Sequence, residues 1–138
     1  MLFKPISTKN VMQLEVLYEN EKTKPLDVAE NGNVNIYLTE DIELKKGVPT
    51  ELDFRICVST DDVCDAYIVL NNEYCKKRGI RLCPESDKIS LEKGVKIKTT
   101  VVSEYGCVLS KDKPIFQLAI YTEHPQIAIH RICDIQDE

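Results

Sequence analysis

Short segments in which apolar and polar residues alternate are the feature that most constrains how this chain can fold. From Met12 to Tyr18 every second side chain is apolar, and the same period returns in segments 34–38, 52–58 and 95–101. A period of two places alternate side chains on one face of a β-strand. No segment sustains the 3.6-residue period of an amphipathic helix. The pattern therefore predicts a series of strands that each bury one face.

Turn residues separate these segments at intervals of about 8 to 12 residues, which is typical of sandwiches and barrels. Asn31-Gly32-Asn33 favours a hairpin or tight corner because Gly and Asn tolerate positive φ. Lys46-Gly47 and Lys93-Gly94 mark further turns. Segment 71–78 is the one place where we expect a single helical turn. The chain is predicted to be all-β, a compact antiparallel or mixed β-barrel or sandwich rather than a series of βαβ units.

Length and charge narrow the classes of protein. A chain of 138 residues predicts one domain over 1–138, with a short acidic tail that frays from about residue 134. The net charge of −5 argues against nucleic acid and anionic membrane as partners. The longest apolar runs are far shorter than the roughly 20 residues that cross a bilayer. The N-terminus lacks the pattern of a secretory signal, so we expect an intracellular protein whose six cysteines are free, mostly buried thiols.

Three separated segments resemble landmarks of the dUTPase-like, or β-clip, superfamily. The segment from Gly32 to Gly47 resembles the first dUTPase motif, Lys77-Arg78-Gly79-Ile80 is similar to a Lys-x-Gly-Ile step, and Ile115 to Leu118 is similar to an Ile-Ala-Gln-Leu strand. Their order and spacing agree from about Ala29 to Ile132. The resemblance implies a dUTPase-like β-clip fold. It also implies a homotrimer, because relatives of that fold often assemble around a threefold axis.

The chain departs from the family pattern where the chemistry would lie. Asn35 stands where the first motif has a carboxylate, and Asn71 and Asn72 stand where the second motif supplies an Arg and a Ser for the phosphates. The third motif, with its water-activating Asp and its Tyr, is replaced by a segment that keeps only the final glycine and contains Leu91 and Glu92. The family's C-terminal glycine-rich arm has no counterpart. Without a general base the hydrolysis would lose its proton-transfer step, and Glu92 is best interpreted as a solvated turn residue.

These departures imply a non-enzymatic structural or interaction protein. Because degenerate dUTPase-like proteins are common in large DNA viruses, the resemblance also implies a viral origin. Such a pseudoenzyme would be similar in character to the baculovirus telokin-like protein, with no cofactor and a protein partner that the sequence does not identify. Two alternatives stay open. One is a nucleotide-binding or dUTP-hydrolysing enzyme that uses Asn35, Asn72 and Glu92 as replacement residues, and the other is a capsid or occlusion-associated component.

Other site chemistries find little support in the spacing of residues. Cys107, His124, His130 and Cys133 could supply metal ligands, but the chain has no Cys-x-x-Cys pair, so we predict no metal. His130 and Cys133, three apart on a predicted strand, would point to opposite faces and form no dyad. The Lys76-Lys77-Arg78 run is predicted to be a solvated turn rather than a nucleic-acid patch.

Overall fold

The computed structural model describes residues 11–123 and 126–132. These ranges contain twelve strands and one helix: β1 (Val11–Tyr18), β2 (Asp27–Val28), β3 (Val34–Ile36), β4 (Ile42–Leu44), β5 (Thr50–Ser59), β6 (Asp65–Leu70), α1 (Asn72–Arg78), β7 (Ile80–Leu82), β8 (Lys88–Ile89), β9 (Lys96–Ser103), β10 (Cys107–Leu109), β11 (Phe116–Tyr121) and β12 (Gln126–Ile132). The acidic tail predicted from about 134, together with His124 and Cys133, lies outside the described residues.

The strands form two five-stranded sheets and a small third one. Sheet A has the order β12-β1-β5-β9-β7, sheet B has the order β2-β3-β11-β6-β8, and β10 pairs with β4. Among the named strands every pairing is antiparallel except that of β1 with β12, which is parallel. Within the described residues no sheet closes on itself. The all-β prediction is confirmed, in the form of open sheets with mixed pairing.

The core lies between the two large sheets, as the alternating sequence predicts. In β1 every second side chain is inaccessible or nearly so, with Met12, Leu14 and Val16 fully buried. Phe54 of sheet A meets Phe116 of sheet B edge to face, with ring centroids 5.2 Å apart and an interplanar angle of 75°. Each fully buried large apolar side chain contributes about 1.5–3 kcal/mol to stability. The contact between these two rings adds about 0.5–1.5 kcal/mol beyond the buried area.

Strand β5 contains an irregularity that the alternation does not reveal. Its register against β9 shifts between Asp53 and Cys57, and Arg55 at this point has φ 60°. The Arg55 backbone N–H donates to Asp53 Oδ1 at 2.8 Å, and its guanidinium bonds Glu19 at 2.9 Å. Extra residues of this kind bend a strand and increase its twist. The bend curves β5 in the middle of sheet A.

Helix α1 replaces the single helical turn expected at 71–78. The Asn71 side chain accepts from the Tyr74 backbone N–H at 3.2 Å, which caps the N-terminus. Gly79 ends the helix with φ 63°, a left-handed conformation that costs glycine little. Lys76, Lys77 and Arg78 form the last turn of this helix, where Lys76 and Lys77 are exposed to solvent. Cations there are stabilised by the negative end of the helix dipole.

The described cysteines are free thiols, but their burial differs from the expectation. Only Cys75 is buried, on the inner side of α1. Cys57, Cys64, Cys83 and Cys107 are half-buried, so the prediction of mostly buried thiols is wrong for these four. Cys57 shows the reason, because it lies between the buried residues Ile56 and Val58 of β5 and therefore points to the other face. In the described part of the chain no helix has the length and apolar character needed to cross a membrane.

Candidate functional site

Asn35 lies at the centre of a polar cluster on sheet B. Strand β3 runs between β2 and β11, and the register places Asn35 opposite both Asp27 and Gln117. Its amide nitrogen donates to Asp27 Oδ2 at 3.1 Å, and its amide oxygen accepts from Gln117 Nε2 at 3.0 Å. Only 9% of Asn35 is exposed. Both ends of this buried amide are therefore satisfied by protein groups, as a buried polar group requires.

The hydrogen bonds continue along the sheet on both sides of Asn35. Gln117 Oε1 accepts from Asn31 Nδ2 at 3.1 Å and from Asn33 Nδ2 at 3.0 Å. On the opposite side the Tyr37 hydroxyl donates to Asp27 Oδ1. Burial and the Asp27 carboxylate raise the pKa of Tyr37 well above its usual range. We call this set the amide cluster: Asp27, Asn31, Asn33, Asn35, Tyr37 and Gln117.

Asn71 and Asn72 stand at the start of α1. Besides capping the helix, Asn71 donates from Nδ2 to the Pro114 carbonyl at 3.1 Å, and its backbone N–H donates to the Ile115 carbonyl at 2.8 Å. Asn72 is the first helical residue and is exposed. Asn71 thus caps α1 and also fastens the start of this helix to the segment before β11.

Leu91 and Glu92 follow β8 at a different place on sheet B. Leu91 is 8% exposed and belongs to the apolar core. Glu92 is exposed and lines shallow depressions with Thr60, Asp62 and their neighbours. None of the amide-cluster residues lines either depression. Glu92 therefore faces loop residues and solvent, as the interpretation of a solvated turn residue predicts.

The register of sheet B shows which motif positions come together. At one end of β6, Leu70 pairs with Phe116 of β11, so Asn71 lies close to the strand that carries Gln117. At the other end, Ala66 pairs with Ile89, the residue that precedes the Leu91–Glu92 segment by two positions. Within a single chain, Asn35 and Asn71 therefore lie in neighbouring parts of sheet B. Glu92 lies near the opposite end of β6.

Asp27 and Tyr37 belong to the cluster but were not among the residues singled out in the sequence. Asp27 is exposed, yet it holds hydrogen bonds from both Asn35 and Tyr37. Counting back across the Asn31-Gly32-Asn33 turn from Asn35 would have reached Asp27, since hairpin strands pair around their turn. The carboxylate missing at position 35 is therefore present on the adjacent strand.

A separate set of ion pairs lies at sheet A. Lys96 bridges Glu19 and Asp53, and the hydrogen bond from Lys96 lowers the pKa of Glu19. Across residues 11–123 and 126–132 no three His, Cys, Asp or Glu side chains are grouped so that they could hold a metal ion. His130 is an exposed residue of β12 that hydrogen-bonds Gln13 of β1. The strand position agrees with the prediction for His130, but the residue is exposed rather than half-exposed.

Solved structures similar to this chain include dUTPases of staphylococcal bacteriophages. A variant of the phage 80alpha dUTPase superimposes with a TM-score of 0.68 over 79% of this chain and 83% of that chain, at 11% sequence identity. A second 80alpha variant, with dUpNHpp, gives 0.68 over 79% and 82%, at 11% identity. A dUTPase variant from phage phi11 of S. aureus gives 0.68 over 79% and 90%, at 10% identity.

These similarities establish the fold. No protein-family model and no curated protein sequence matches the chain. At identities of 10–11% the agreement with solved structures concerns the arrangement of strands. The expectation of a dUTPase-like layout is confirmed, and the chain carries the amide cluster on that scaffold.

Proposed function

We propose that this chain is a non-catalytic interaction protein, of viral origin, that uses a dUTPase-like scaffold to bind a partner protein. The observation that carries the proposal is the double hydrogen bonding of Asn35. Its amide nitrogen donates a hydrogen bond to Asp27 at 3.1 Å, and its amide oxygen accepts one from Gln117 at 3.0 Å. A side chain engaged in this way holds the sheet together, and as an amide it cannot take up a proton as a general base does.

The neighbouring motif positions support the same interpretation. Asn71 is occupied with the helix N-terminus and Pro114, and Leu91 is buried among apolar side chains. Glu92, the remaining carboxylate of these positions, lies at the far end of β6 from Asn35. Phosphate binding and water activation need preorganised charged and polar groups around one substrate position. Within one chain these residues do not supply them.

Regulatory roles described for the phage enzymes also favour interaction as the function. Phage dUTPases are described as controlling the transfer of virulence genes by a G protein-like mechanism, and the 80alpha enzyme is described as having SaPI-inducing capacity. The same fold thus serves roles beyond hydrolysis in those proteins. We propose that the present chain likewise acts by binding a partner. Its surface, and not a nucleotide site, would then carry out the function. We also expect a homotrimer, which the mass in solution would test.

A second candidate, nucleotide binding or dUTP hydrolysis, is favoured by Asp27. Its carboxylate lies 3.1 Å from the Asn35 amide, so a negative charge is available one strand from the position where the family pattern has it. The structural neighbours named above are dUTPases, and several such structures contain dUpNHpp. An active site built on Asp27 would need Glu92 or another base from a second copy of the chain.

A hydrolysis assay separates the two candidates. Purified protein with dUTP and magnesium is expected to release no pyrophosphate above the heat-denatured sample, and dUpNHpp is expected to leave its melting temperature unchanged. Release that is lost in Asp27→Asn, Asn35→Ala or Glu92→Ala but kept in the control Glu51→Gln would overturn the proposal. Glu51 suits the control because it is an exposed carboxylate on β5, outside both the amide cluster and the depressions that Glu92 lines.

A further inference from the structure

Three segments of the chain meet at Ser103, the last residue of β9. The Ser103 hydroxyl donates to the Arg78 carbonyl at 2.7 Å and accepts from the Gly106 backbone N–H at 2.9 Å. The Ser103 carbonyl accepts from the Gly47 N–H at 2.9 Å. Ser103 itself is fully buried. One buried residue thus fixes the end of α1, the turn after β9 and the turn after β4 to one another.

The ring of Tyr105 stands on this junction and faces solvent. Tyr105 is 62% exposed, and the end of its ring lies against Gly79, where an added Cβ would be 3.0 Å from two ring carbons. The neighbouring Glu104 N–H donates to the Gly79 carbonyl at 2.8 Å. An exposed aromatic side chain is therefore held over the helix terminus by packing and by a backbone hydrogen bond.

The same three segments concentrate positive charge. Their exposed cations are Lys45, Lys46, Lys76 and Lys77, and Glu104 is their one carboxylate. The Arg78 guanidinium is held against Tyr74, whose carbonyl it bonds at 2.8 Å and whose ring centre lies 3.7 Å away. The exposed Glu43 of β4 borders the segments opposite Val108, so the four lysines outnumber two carboxylates. We call segments 45–48, 76–79 and 103–108 together the junction patch. The whole chain has a net charge of −5, so the positive charge of this patch is opposite in sign to that of the chain. The helix dipole accounts for cations in the last turn of α1, but it does not account for Lys45 and Lys46, which follow β4.

Aliphatic side chains within the patch indicate what kind of anion it fits. Val48 is 47% exposed and Val108 is 54% exposed. Single-stranded nucleic acid is bound by several aromatic side chains along a continuous basic groove, whereas Tyr105 is the one large exposed aromatic residue of the patch. Carboxylates interspersed with apolar side chains complement cations interspersed with Val and Tyr.

We infer that the junction patch docks an acidic, extended segment of a partner protein. The inference rests on the proposed function and deepens it by naming the surface and the chemistry of the partner. The lysines attract the partner's carboxylates, and the exposed Tyr105 and valines take its apolar side chains. Because Ser103 fixes the three segments in advance, binding needs little ordering of the patch.

The test uses a fluorescein-labelled peptide in which Glu alternates with Leu and Tyr, followed by fluorescence anisotropy. Wild-type binding should weaken as NaCl rises from about 50 to about 300 mM. Lys45→Glu/Lys46→Glu and Lys76→Glu/Lys77→Glu should each weaken binding by about tenfold or more, because attraction becomes repulsion. Lys22→Glu/Lys93→Glu is the matched control, since both lysines are exposed, lie outside the patch and give the same change of charge. This control should change the affinity less than about twofold.

Three results of this binding assay would overturn the inference: no binding by the wild type at low salt, equal loss in the control, or tighter binding of an oligothymidylate that the same reversals abolish. The last would mark a nucleic-acid surface instead. Amide chemical-shift mapping on the wild-type protein needs no variant to fold. Shifts within the junction patch on adding the peptide support the inference, and shifts confined to other residues refute it. The dUTP assay reports separately on the proposed function, so failure of either is recognised by its own measurement.

Discussion

The side-chain amide of Asn35 donates to the carboxylate of Asp27 at 3.1 Å, across the paired strands β2 and β3. Two carboxylates at these positions would repel each other, whereas an amide and a carboxylate attract. The negative charge of the amide cluster therefore lies on β2, and the position on β3 is a neutral link between Asp27 and Gln117. This relationship gives the most direct test of how the cluster is built.

Replacing Asn35→Asp should destabilise the protein at neutral pH. The change removes a donor and sets a second carboxyl group against Asp27, which we expect to lower the free energy of unfolding by about 1–3 kcal/mol at pH 7. Repulsion raises the pKa of the introduced carboxyl group in the folded state. The loss is therefore complete well above that pKa and disappears as the pH falls towards the unfolded value of about 4. Urea unfolding at pH 7 and at about pH 4.5 measures both limits.

The matched control exchanges the two residues, as Asp27→Asn/Asn35→Asp. It restores one amide and one carboxylate and should recover most of the lost stability. If Asn35→Asp alone were as stable as the wild type at pH 7, the side chains at positions 27 and 35 would not be in contact in solution.

Tyr37 should make stability depend on alkaline pH. Burial and Asp27 raise its pKa in the folded state, so the neutral phenol is favoured by folding. The stability that follows is fully present below the ordinary tyrosine pKa of about 10, starts to fall there as the unfolded state loses its proton, and is lost as the pH rises through the raised pKa of the folded state. Melting temperatures of the wild type and of Tyr37→Phe between pH 9 and 11 should show a steeper fall in the wild type. The exposed Tyr105→Phe should follow the wild type, and equal slopes for all three proteins would contradict the assignment.

Ser103→Ala should weaken the junction of three segments. The hydroxyl serves the Arg78 carbonyl and the Gly106 N–H, and its removal leaves both groups without this partner in a buried place. We expect a loss of about 1–3 kcal/mol in the free energy of unfolding by urea. Ser90→Ala removes an exposed hydroxyl and should change stability by less than about 0.5 kcal/mol. Similar values for the two variants would show that the buried bonds contribute nothing measurable.

Gly79→Ala should cost more than Gly94→Ala. Both glycines have positive φ, 63° and 81°, so each substitution has the strain of a left-handed alanine, about 1–2 kcal/mol. At Gly79 the new Cβ would also lie 2.8 Å from the Glu104 Cβ, whereas at Gly94 nothing lies within 4 Å. The difference between the two variants in thermal or urea unfolding measures the close approach of Glu104 and Tyr105 to the helix terminus. No difference would mean that the turn after β9 moves away freely.

The sequence predicts those parts of the fold that depend on neighbouring residues: alternating strands, tight turns and a capped helix. Alternation alone predicts β1, because a strand with one buried face needs only the period of two. The turn at Asn31-Gly32-Asn33 predicts the β2–β3 hairpin, although the short β2 itself shows no alternation. The helical turn at 71–78 became α1, with Asn71 as its cap.

The missed features depend on pairings between distant residues. Nothing near Asp27 shows that Tyr37 and Asn35 converge on it, since Asp27 is exposed and its strand has two residues. The position of Arg55 with positive φ follows from the register of β5 against β9, which no local pattern contains. The amide cluster was identified only in part, through Asn35, because its bonds to Gln117 bridge strands that are far apart in the chain.

The parallel pairing of β1 with β12 also governs how the protein can be made. Val11 of β1 lies beside Gln126 of β12. Among the described strands β1 is synthesised first and β12 last, so β1 can pair with β12 only at the end of this series. Until then one side of β1 is an unpaired edge, with backbone donors and acceptors open to other chains. Contacts between residues so far apart are slow to form. Sheet A therefore cannot be completed before β12 has been synthesised, and covering the edge of β1 until then would reduce aggregation.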